Sequence, residues 1–303
     1  MEVGVIGTGV MGRNHVRVYS ELKYVTGLYV YDINYDASLG VALQNGAVPC
    51  ATIEDLLKKV DAVSICVPTR YHFDTAKQMI EAGVHMLMEK PICSTLEEAN
   101  QVLDLIGKNQ TVGVGQIERF NPIVPEIQRI CKKPLYVEFN RHNPASARVI
   151  ESTVVEDLMI HDIDILRHIL FKDTYDLAAG GTEDIVSSLF RFNSTPAYLS
   201  ASRKASKKVR RIYIEEEDLT IEGDFMTQEI FSYFKPEKYH VENERYVQEN
   251  IIEKVMVNKV EPLKVELHTF LECAKKRKPF PVTPEQATEN VRICEEIRAC
   301  LTK

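Results

Sequence analysis

Short apolar segments alternate with helix-like patterns over the first 118 residues of the chain. The apolar segments are rich in β-branched residues and show no polar alternation, which is typical of strands buried on both faces of a parallel sheet. They span residues 3–7, 25–32, 62–67, 84–89 and 111–115. Because strands that alternate with helices form right-handed βαβ units, we predict an α/β domain with a doubly wound Rossmann sheet over residues 1–118.

Two of the intervening helices carry a capping-box pattern. In this pattern a hydroxyl accepts from an early helix N–H, and an acid three residues later reaches back to the cap. The pairs are Thr52 with Asp55 and Ser94 with Glu97. We predict that helices begin directly after Thr52 and Ser94.

The pattern changes after residue 118, where strand-like segments follow one another closely. Close spacing favours antiparallel pairing. The predicted strands span residues 135–141, 185–192, 197–203, 210–216, 219–222, 229–234 and 251–257, and the predicted helices span 155–171, 263–276 and 284–301. We predict an α+β second domain over residues 119–303, and a ligand cleft at the interface of the two domains.

The composition is that of an ordinary globular protein, with 303 residues, 45% of them hydrophobic and 27% charged, and a net charge of −7. The acidic balance argues against general nucleic-acid binding. No apolar stretch approaches the roughly 18 residues of a membrane span, and no secretion signal opens the sequence. We therefore expect a small-molecule partner, with no nucleic acid and no membrane.

The seven cysteines are scattered and include no C-x-x-C pair. This distribution argues against a disulfide framework and against a zinc knuckle. Outside residues 157–164 no cluster of His, Asp and Glu has the spacing of metal ligands, so we expect no metal. A reducing, cytoplasmic location fits best.

A glycine-rich turn follows the first predicted strand and opens the first predicted helix. In a G-x-G-x-x-G turn the glycines permit the tight turn, the close approach of a pyrophosphate and the packing of helix on strand. The positive end of the helix then faces the phosphates. The predicted dinucleotide-binding residues are Gly7, Thr8, Gly9, Val10, Met11 and Gly12.

Asp32 lies 20 residues after Gly12, at the end of the second predicted strand. A carboxylate at this position accepts hydrogen bonds from the ribose hydroxyls and repels a 2′-phosphate, which favours NAD over NADP. Arg13 could soften this preference by approaching the ribose. The alternative interpretation is that Asp32 only caps the turn before Tyr35.

Three further residues have the chemistry of a dehydrogenase site. Lys90 ends a strand at the carboxyl edge of the predicted sheet, where it can bind a substrate hydroxyl and relay its proton. Asp157 and His161 lie four residues apart on a predicted helix, so both side chains point the same way, and the imidazole can act as a base. The alternatives are a surface lysine before a turn and an aspartate that complements the helix dipole.

The chain resembles the Gfo/Idh/MocA family of sugar and polyol dehydrogenases. The resemblance rests on the glycine-rich turn and on residues 67–72, 88–91 and 157–164, and it covers the entire chain. It implies a second domain with a large open, mainly antiparallel sheet, and a homodimer or homotetramer. It also implies that Lys90 is catalytic and that the Lys90–Pro91 bond is cis.

The resemblance extends to individual site residues. The family's D-x-x-x-H-x-x-D pattern falls on Asp157, His161 and Asp164. It further implies cofactor contacts at Pro68, Thr69, His72, Glu89 and Lys90. His168 is a weaker candidate, and His72 could equally be structural. Residues 152–156 contain no glycine where the family often has glycines, so the substrate loop is expected to differ.

The segment 118–122, Glu-Arg-Phe-Asn-Pro, together with residues 156–164 resembles the branch of the family that oxidises UDP-N-acetylglucosamine at C3. A diphosphate requires cations, and arginine forks suit phosphate oxygens. The substrate contacts expected on this basis are Lys90, Arg119, Asn121, Arg141, Asp157 and His161. A basic cluster at 203–211 could contribute, or could be a solvated hairpin balanced by the acids at 215–218.

The resemblance implies NAD-dependent oxidation of the C3 hydroxyl to a 3-keto sugar, with His161 as the base and Lys90 assisting. An alternative is oxidation of inositol, a free sugar or another nucleotide sugar. A non-catalytic, NAD-sensing regulator is a third possibility, which the presence of Lys90 and His161 disfavours. The basic run 275–278 is interpreted as complementing a helix dipole.

Overall fold

This computed structural model describes residues 1–144, 152–236, 239–242, 245–248 and 250–301. The chain forms two compact units. The first comprises Met1–Phe120 and Glu261–Arg292, and the second comprises Asn121–Val260 and Ile293–Lys303. The sequence interpretation had assigned all residues after 118 to a second domain, whereas the segment Glu261–Arg292 packs with the N-terminal residues.

The first unit contains a six-stranded, wholly parallel sheet in the order β3-β2-β1-β4-β5-β6. The strands are β1 Glu2–Ile6, β2 Gly27–Tyr31, β3 Val48–Pro49, β4 Ala62–Ile65, β5 His85–Glu89 and β6 Val112–Gly115. This confirms the predicted doubly wound sheet. The strand order reverses between β1 and β4, and ligands of such sheets bind at the carboxyl ends of the strands beside that point.

The α-helices are α1 Val10–Glu21, α2 Tyr35–Asn45, α3 Ile53–Leu57, α4 His72–Glu81, α5 Leu96–Leu105, α6 Ile123–Ile130, α7 Ile160–Ile165, α8 Pro262–Lys276 and α9 Pro284–Leu301. Apart from α6, which was not predicted, the helices follow the predicted pattern. The predicted cap at Thr52 is confirmed, because its hydroxyl accepts from the Asp55 N–H at 3.1 Å. The second predicted cap is wrong by one residue. Extended Thr95, not Ser94, accepts from the Glu98 N–H at 3.2 Å, and Glu98 reaches back to the Ser94 N–H at 3.0 Å.

The second unit is built on an eight-stranded sheet in the order β16-β13-β12-β11-β7-β10-β9-β8. The strands are β7 Tyr136–His142, β8 Asp176–Gly181, β9 Ile185–Phe192, β10 Thr195–Ser202, β11 Val209–Glu215, β12 Leu219–Asp224, β13 Glu229–Phe234 and β16 Ile251–Val255, with β14 Tyr239–Glu242 and β15 Arg245–Gln248 forming a separate pair. Only β7 and β10 pair in parallel among the strands of the large sheet. The predicted large, mainly antiparallel sheet is thus confirmed.

Four of the described strands, β3, β8, β14 and β15, escaped the sequence interpretation. β3 has only two residues, which is too short for a periodic signal. β8 is a largely exposed edge strand without a regular apolar face. The apolar face of the large sheet packs against α6, α7 and the end of α9 in one core. The opposite face carries mixed aromatic and charged residues.

Each unit has its own apolar core. The seven cysteines all lie in the described ranges and are free thiols. No helix among the described residues is long and apolar enough to cross a bilayer.

Candidate active site

The glycine-rich turn has the geometry of a phosphate cradle. Gly7 adopts a φ of +90°, and a Cβ there would lie 2.8 Å from the backbone of Cys66. A Cβ on Gly12 would lie 1.8 Å from the Gly7 carbonyl oxygen. Beside Gly9, in contrast, no described atom lies within 4 Å of the Cβ position, so the space next to the turn is open.

Helix α1 presents a bare N-terminus to this open space. None of the described side chains caps it, and its first turn contains no acid. Its first N–H groups and its dipole are therefore available to an anion. Val10 is exposed and Met11 is half-buried at this end. The turn and the helix together fit the pyrophosphate of a dinucleotide.

Asp32 is held at the end of β2 by the same turn. Its Oδ2 accepts from the Thr8 N–H at 2.6 Å and from the Thr8 hydroxyl at 2.9 Å, and its Oδ1 accepts from the Asn34 N–H at 2.9 Å. Asn34, not Asp32, caps α2, since its side chain accepts from the Ala37 N–H. Thr8 is buried and orients the acid, and its predicted cofactor contact remains a prediction.

Asp32 keeps acceptor capacity for a ribose. An ionised carboxylate offers about four lone-pair sites, and three are used here. Arg13 lies near the same turn, where its Nε donates to the Thr8 carbonyl at 3.1 Å. The half-buried carboxylate is thus placed and charged as a 2′-hydroxyl acceptor requires.

His72 has a structural role inside the first unit, and its predicted cofactor contact remains a prediction. It is 1% exposed, and its ring nitrogens lie 2.8 Å from the Pro91 carbonyl and 2.9 Å from the Val67 carbonyl. Burial lowers the pKa of His72, partly offset by these carbonyls. The ring therefore links the loop after β4 to the turn after β5. Pro68 and Thr69 lie in the former loop, with Pro68 exposed and Thr69 half-buried.

A buried polar cluster lies behind the turn that carries Lys90. The His15 Nε2 lies 2.8 Å from the Glu89 Oε1, and both side chains are at least nine-tenths buried. Cys66 completes a group of three whose ligand atoms lie within 4.8 Å of one another. Burial and the charges of Glu89 and Glu266 raise the pKa of the Cys66 thiol. The Glu89 side chain is thus engaged inside the unit, and its predicted cofactor contact remains a prediction.

Sequence reasoning missed this cluster because its members come from three separate elements. His15 is on α1, Cys66 follows β4 and Glu89 ends β5. The sequence signal for this cluster was weak. It consisted of a histidine, His15, three residues after Gly12 on the helix face that packs against the sheet. The cluster fixes the base of the Glu89-Lys90-Pro91 turn, because the Glu89 Oε2 also accepts from the Lys90 N–H at 3.3 Å.

Lys90 lies directly after β5, at the carboxyl edge of the parallel sheet. Its side chain is half-buried, and the Lys90–Pro91 bond is cis as predicted. This edge also carries the glycine-rich turn. Lys90 therefore lies on the ligand-binding edge of its unit.

Asp157, His161 and Asp164 lie on one continuous helical segment of the second unit. α7 is flanked by π-helical turns at Val155–Met159 and Leu166–Leu170, and such turns are frequent at functional sites. Asp157 and His161 are half-buried, whereas Asp164 is 1% exposed. A spacing of four residues keeps Asp157 and His161 on one side in either helix type. His168, one turn further along, is also half-buried.

The segment before this helix is anchored by side chains. Glu156 accepts from the Thr153 N–H at 3.1 Å and from the Thr153 hydroxyl, and it pairs with Arg298 at 2.9 Å. The Thr153 hydroxyl also accepts from the Val155 N–H. These contacts define the start of the helix where the sequence departs from the family's glycines.

Two predicted substrate contacts are core residues in the structure. Arg141 is 1% exposed and forms a bidentate pair with Asp162, with its Nη2 2.7 Å from Oδ1 and its Nε 3.0 Å from Oδ2. Asn121 is 2% exposed and donates to the Phe225 carbonyl at 2.9 Å. Both side chains have structural partners inside the second unit, and their predicted substrate contacts remain predictions. Arg119 is half-buried and remains a candidate.

The basic cluster at 203–211 is partly neutralised. Arg203 and Lys204 pair with Asp184, and Arg211 pairs with Asp224. For these three cations the paired acids are Asp184 and Asp224, which lie outside the 215–218 segment that the sequence suggested. Lys207 and Lys208 are exposed.

Comparison with known proteins places the chain in a family. Residues 1–116 match the GFO_IDH_MocA oxidoreductase family, with its NAD-binding Rossmann fold. Over 244 aligned residues the chain is 32% identical to UDP-N-acetylglucosamine 3-dehydrogenase of Acidithiobacillus ferrooxidans. The alignment covers 78% of this chain and 77% of that enzyme. The chain belongs to the Gfo/Idh/MocA family and is an oxidoreductase acting on CH–OH groups, as the sequence motifs predicted.

Within the family, the chain resembles the UDP-N-acetylglucosamine 3-dehydrogenase branch. The solved structure of GnnA, the A. ferrooxidans enzyme, has a TM-score of 0.90 to this chain at 29% identity and covers 99% of this chain and 97% of its own. Inositol 2-dehydrogenase of Paracoccus denitrificans is 29% identical over 188 residues, 57% of this chain and 55% of that enzyme. Levoglucosan dehydrogenase, solved with NADH and L-sorbose, shares the fold, with a TM-score of 0.83 at 18% identity over 100% of this chain and 96% of its own.

Proposed function

We propose that this protein oxidises the C3 hydroxyl of UDP-N-acetylglucosamine to the 3-keto sugar, with NAD as the oxidant. The observation that carries the substrate assignment is the similarity to UDP-N-acetylglucosamine 3-dehydrogenase, which extends over 99% of the chain in structure. The bare N-terminus of α1 and the oriented Asp32 carboxylate support NAD. When bound, NAD supplies the hydride acceptor.

The proton chemistry is assigned to three side chains. His161 removes the proton from the C3 hydroxyl, because a half-buried neutral imidazole is suited to this role near neutral pH. Lys90 donates a hydrogen bond to the same hydroxyl and assists proton release. Asp157 orients the sugar or the imidazole from the same side of the helix. Arg119 contacts the diphosphate.

The substrate test is NADH formation with UDP-N-acetylglucosamine beside free N-acetylglucosamine, myo-inositol and UDP-glucose. A ketone trap should be present to pull the equilibrium. Turnover confined to the N-acetylated nucleotide sugar is the expected result. Turnover with myo-inositol alone would refute the nucleotide-sugar assignment and favour the second candidate, an inositol dehydrogenase, to which several relatives are similar.

The residue test separates catalysis from binding. Lys90→Ala and His161→Ala should each lower kcat by roughly 100-fold and leave the Kd for NAD largely unchanged. Lys77→Ala, which replaces an exposed lysine of the same unit, is the control. Arg119→Ala should raise KM for UDP-N-acetylglucosamine with little change in kcat. Near-normal turnover in both Lys90→Ala and His161→Ala would refute the catalytic assignment.

A further inference from the structure

A basic cavity lies at the amino-terminal edge of the parallel sheet, on the opposite side from the glycine-rich turn. Its volume is about 410 Å³, within the range of small-molecule sites. The walls come from the end of α5, the residues before β6, the segment between α8 and α9, and the start of α9. All of these elements belong to the first unit.

Three cations line this cavity, and one carboxylate accompanies them. The cations are Lys108, Arg277 and Lys278, and the acid is Glu285. All four are exposed, and within the described part of the chain none of the three cations forms an ion pair. This excess of positive charge stands out in a chain with a net charge of −7. Unpaired cations around a concave surface attract anions.

The helix-dipole interpretation does not account for the whole basic run 275–278. α8 ends at Lys276, which pairs with Glu272 at 2.6 Å. Arg277 follows the helix with a φ of 51°, a conformation that favours glycine. An arginine at this position costs conformational free energy, and strain of this kind concentrates at functional sites. Its guanidinium lines the cavity instead of pairing with an acid.

The cavity combines donors with an apolar floor. Helix α9 begins at its rim with Pro284, directly after Thr283, so the positive end of an 18-residue helix adds to the potential. Phe280 lies in the floor. The cations and the helix N-terminus suit a phosphate group, and the apolar floor suits the organic part of a small phosphorylated molecule.

We propose that this cavity binds the phosphate group of a small phosphorylated metabolite, at a site separate from that of the cofactor. Lys108, Arg277 and Lys278 contact the phosphate oxygens, and Phe280 packs against the organic part. The site is independent of the proposed sugar substrate, because it uses no residue of the candidate active site. Ligand binding here would link α5, α8 and α9 at the edge of the unit.

The test is isothermal titration of the full chain with inorganic pyrophosphate, with and without saturating NAD. The cavity variant is Lys108→Gln, Arg277→Gly and Lys278→Gln together, and glycine is chosen because it suits the left-handed φ. The control variant is Lys23→Gln, Lys77→Gln and Lys275→Gln, which removes the same charge from exposed lysines of the same unit that do not line the cavity. Thermal unfolding checks that both variants are folded.

Saturable binding that persists with NAD, is unchanged in the control variant and is at least about 10-fold weaker in the cavity variant supports the proposal. Binding that NAD abolishes would place pyrophosphate at the glycine-rich turn and overturn it. If both variants bound pyrophosphate equally weakly, the loss would reflect the net charge of the protein, and the proposal would be overturned. The proposal would also be overturned if the wild-type chain showed no saturable binding up to ~10 mM pyrophosphate.

Discussion

At the scale of single residues, Asp32 shows how one side chain serves both structure and specificity. Its carboxylate receives two hydrogen bonds from Thr8 and one from Asn34. These contacts fix its orientation before any ligand arrives, so less entropy is lost on binding. The same fixed negative charge disfavours a 2′-phosphate on the ribose.

Replacement Asp32→Asn should therefore shift the cofactor preference. Asparagine keeps the shape and one acceptor but removes the charge that repels the 2′-phosphate. We expect the ratio of kcat/KM for NAD over that for NADP to fall about 10-fold. Steady-state kinetics with both cofactors measure this ratio. Asp36→Asn, at an exposed acid in the first turn of α2, is the matched control. An unchanged ratio in Asp32→Asn would contradict the assignment.

The residues that sequence could predict are those whose setting is local. The glycine-rich turn and Asp32 lie on one βαβ unit, so strand, turn and helix are all readable from contiguous residues. Arg141 and Asn121 could not be assigned in this way. Their burial depends on Asp162 and Phe225, which are distant in sequence. Charge or polarity alone does not show whether a side chain faces a ligand or the core.

At the scale of elements, the Arg141–Asp162 pair connects β7 to α7, the helix that carries His161. Both side chains are almost fully buried, so removing one partner takes away the charge compensation that this pair provides. Asp162→Ala should lower the free energy of unfolding by about 3–5 kcal/mol. Arg141→Met with Asp162→Leu should cost much less, because both charges of the pair are then removed. Urea unfolding followed by far-ultraviolet circular dichroism measures both.

The comparison between these variants is the critical result. If the double variant were as unstable as Asp162→Ala, the pair would matter for its packing and not for its charge compensation. An exposed pair supplies the control: Asp176→Ala breaks the contact with Arg191 at the surface and should cost less than about 1 kcal/mol.

His85 at the start of β5 makes stability depend on pH. Its Nδ1 accepts from the Thr111 N–H at 2.9 Å, which requires a neutral ring at that nitrogen. Burial and the nearby Arg277 lower the pKa of His85 in the folded state. A lowered pKa means that this stabilisation is present above the unfolded value of about 6.5 and is lost as the pH falls below it.

His85→Asn should flatten this dependence, because the Asn Oδ1 can accept from Thr111 without titrating. We expect the fall in the unfolding midpoint between about pH 7 and pH 5 to be smaller in the variant than in the wild type. Thermal unfolding at several pH values measures it. An identical pH slope in both proteins would show that His85 does not contribute.

The elements also show where sequence reasoning stops. Most helices and strands followed from periodicity. The group His15, Cys66 and Glu89 did not, because α1, the residue after β4, and β5 each supply one member. The π-helical turns on either side of α7 could not be predicted from the sequence either. Over five residues, the spacing of apolar residues in a π-helix resembles that in an α-helix. Contacts between elements are set by the fold and not by any single stretch of sequence.

At the scale of the whole molecule, one face of the large sheet lies outside the described apolar core of its unit. Along one row across this face, paired neighbours are Leu189, Tyr198, Glu138, Tyr213, Glu222 and Phe231. Leu189 and Ile185 are each 45% exposed. Aromatic and apolar residues interleaved with carboxylates are suited to an interface between copies of the chain. We propose that the homodimer or homotetramer expected from the family forms through this face.

Leu189→Glu with Tyr213→Glu should dissociate that assembly. In a symmetric interface each added carboxylate would approach acids such as Glu138 or Glu222, so the repulsion would be repeated by symmetry. We expect the molar mass from light scattering to fall to that of one chain, 34.5 kDa, with an unchanged far-ultraviolet spectrum. Leu43→Glu, at a 77% exposed leucine on α2, should leave the mass of the assembly unaltered. A wild-type chain that is already monomeric, or a double variant that still assembles, would exclude this face as the interface.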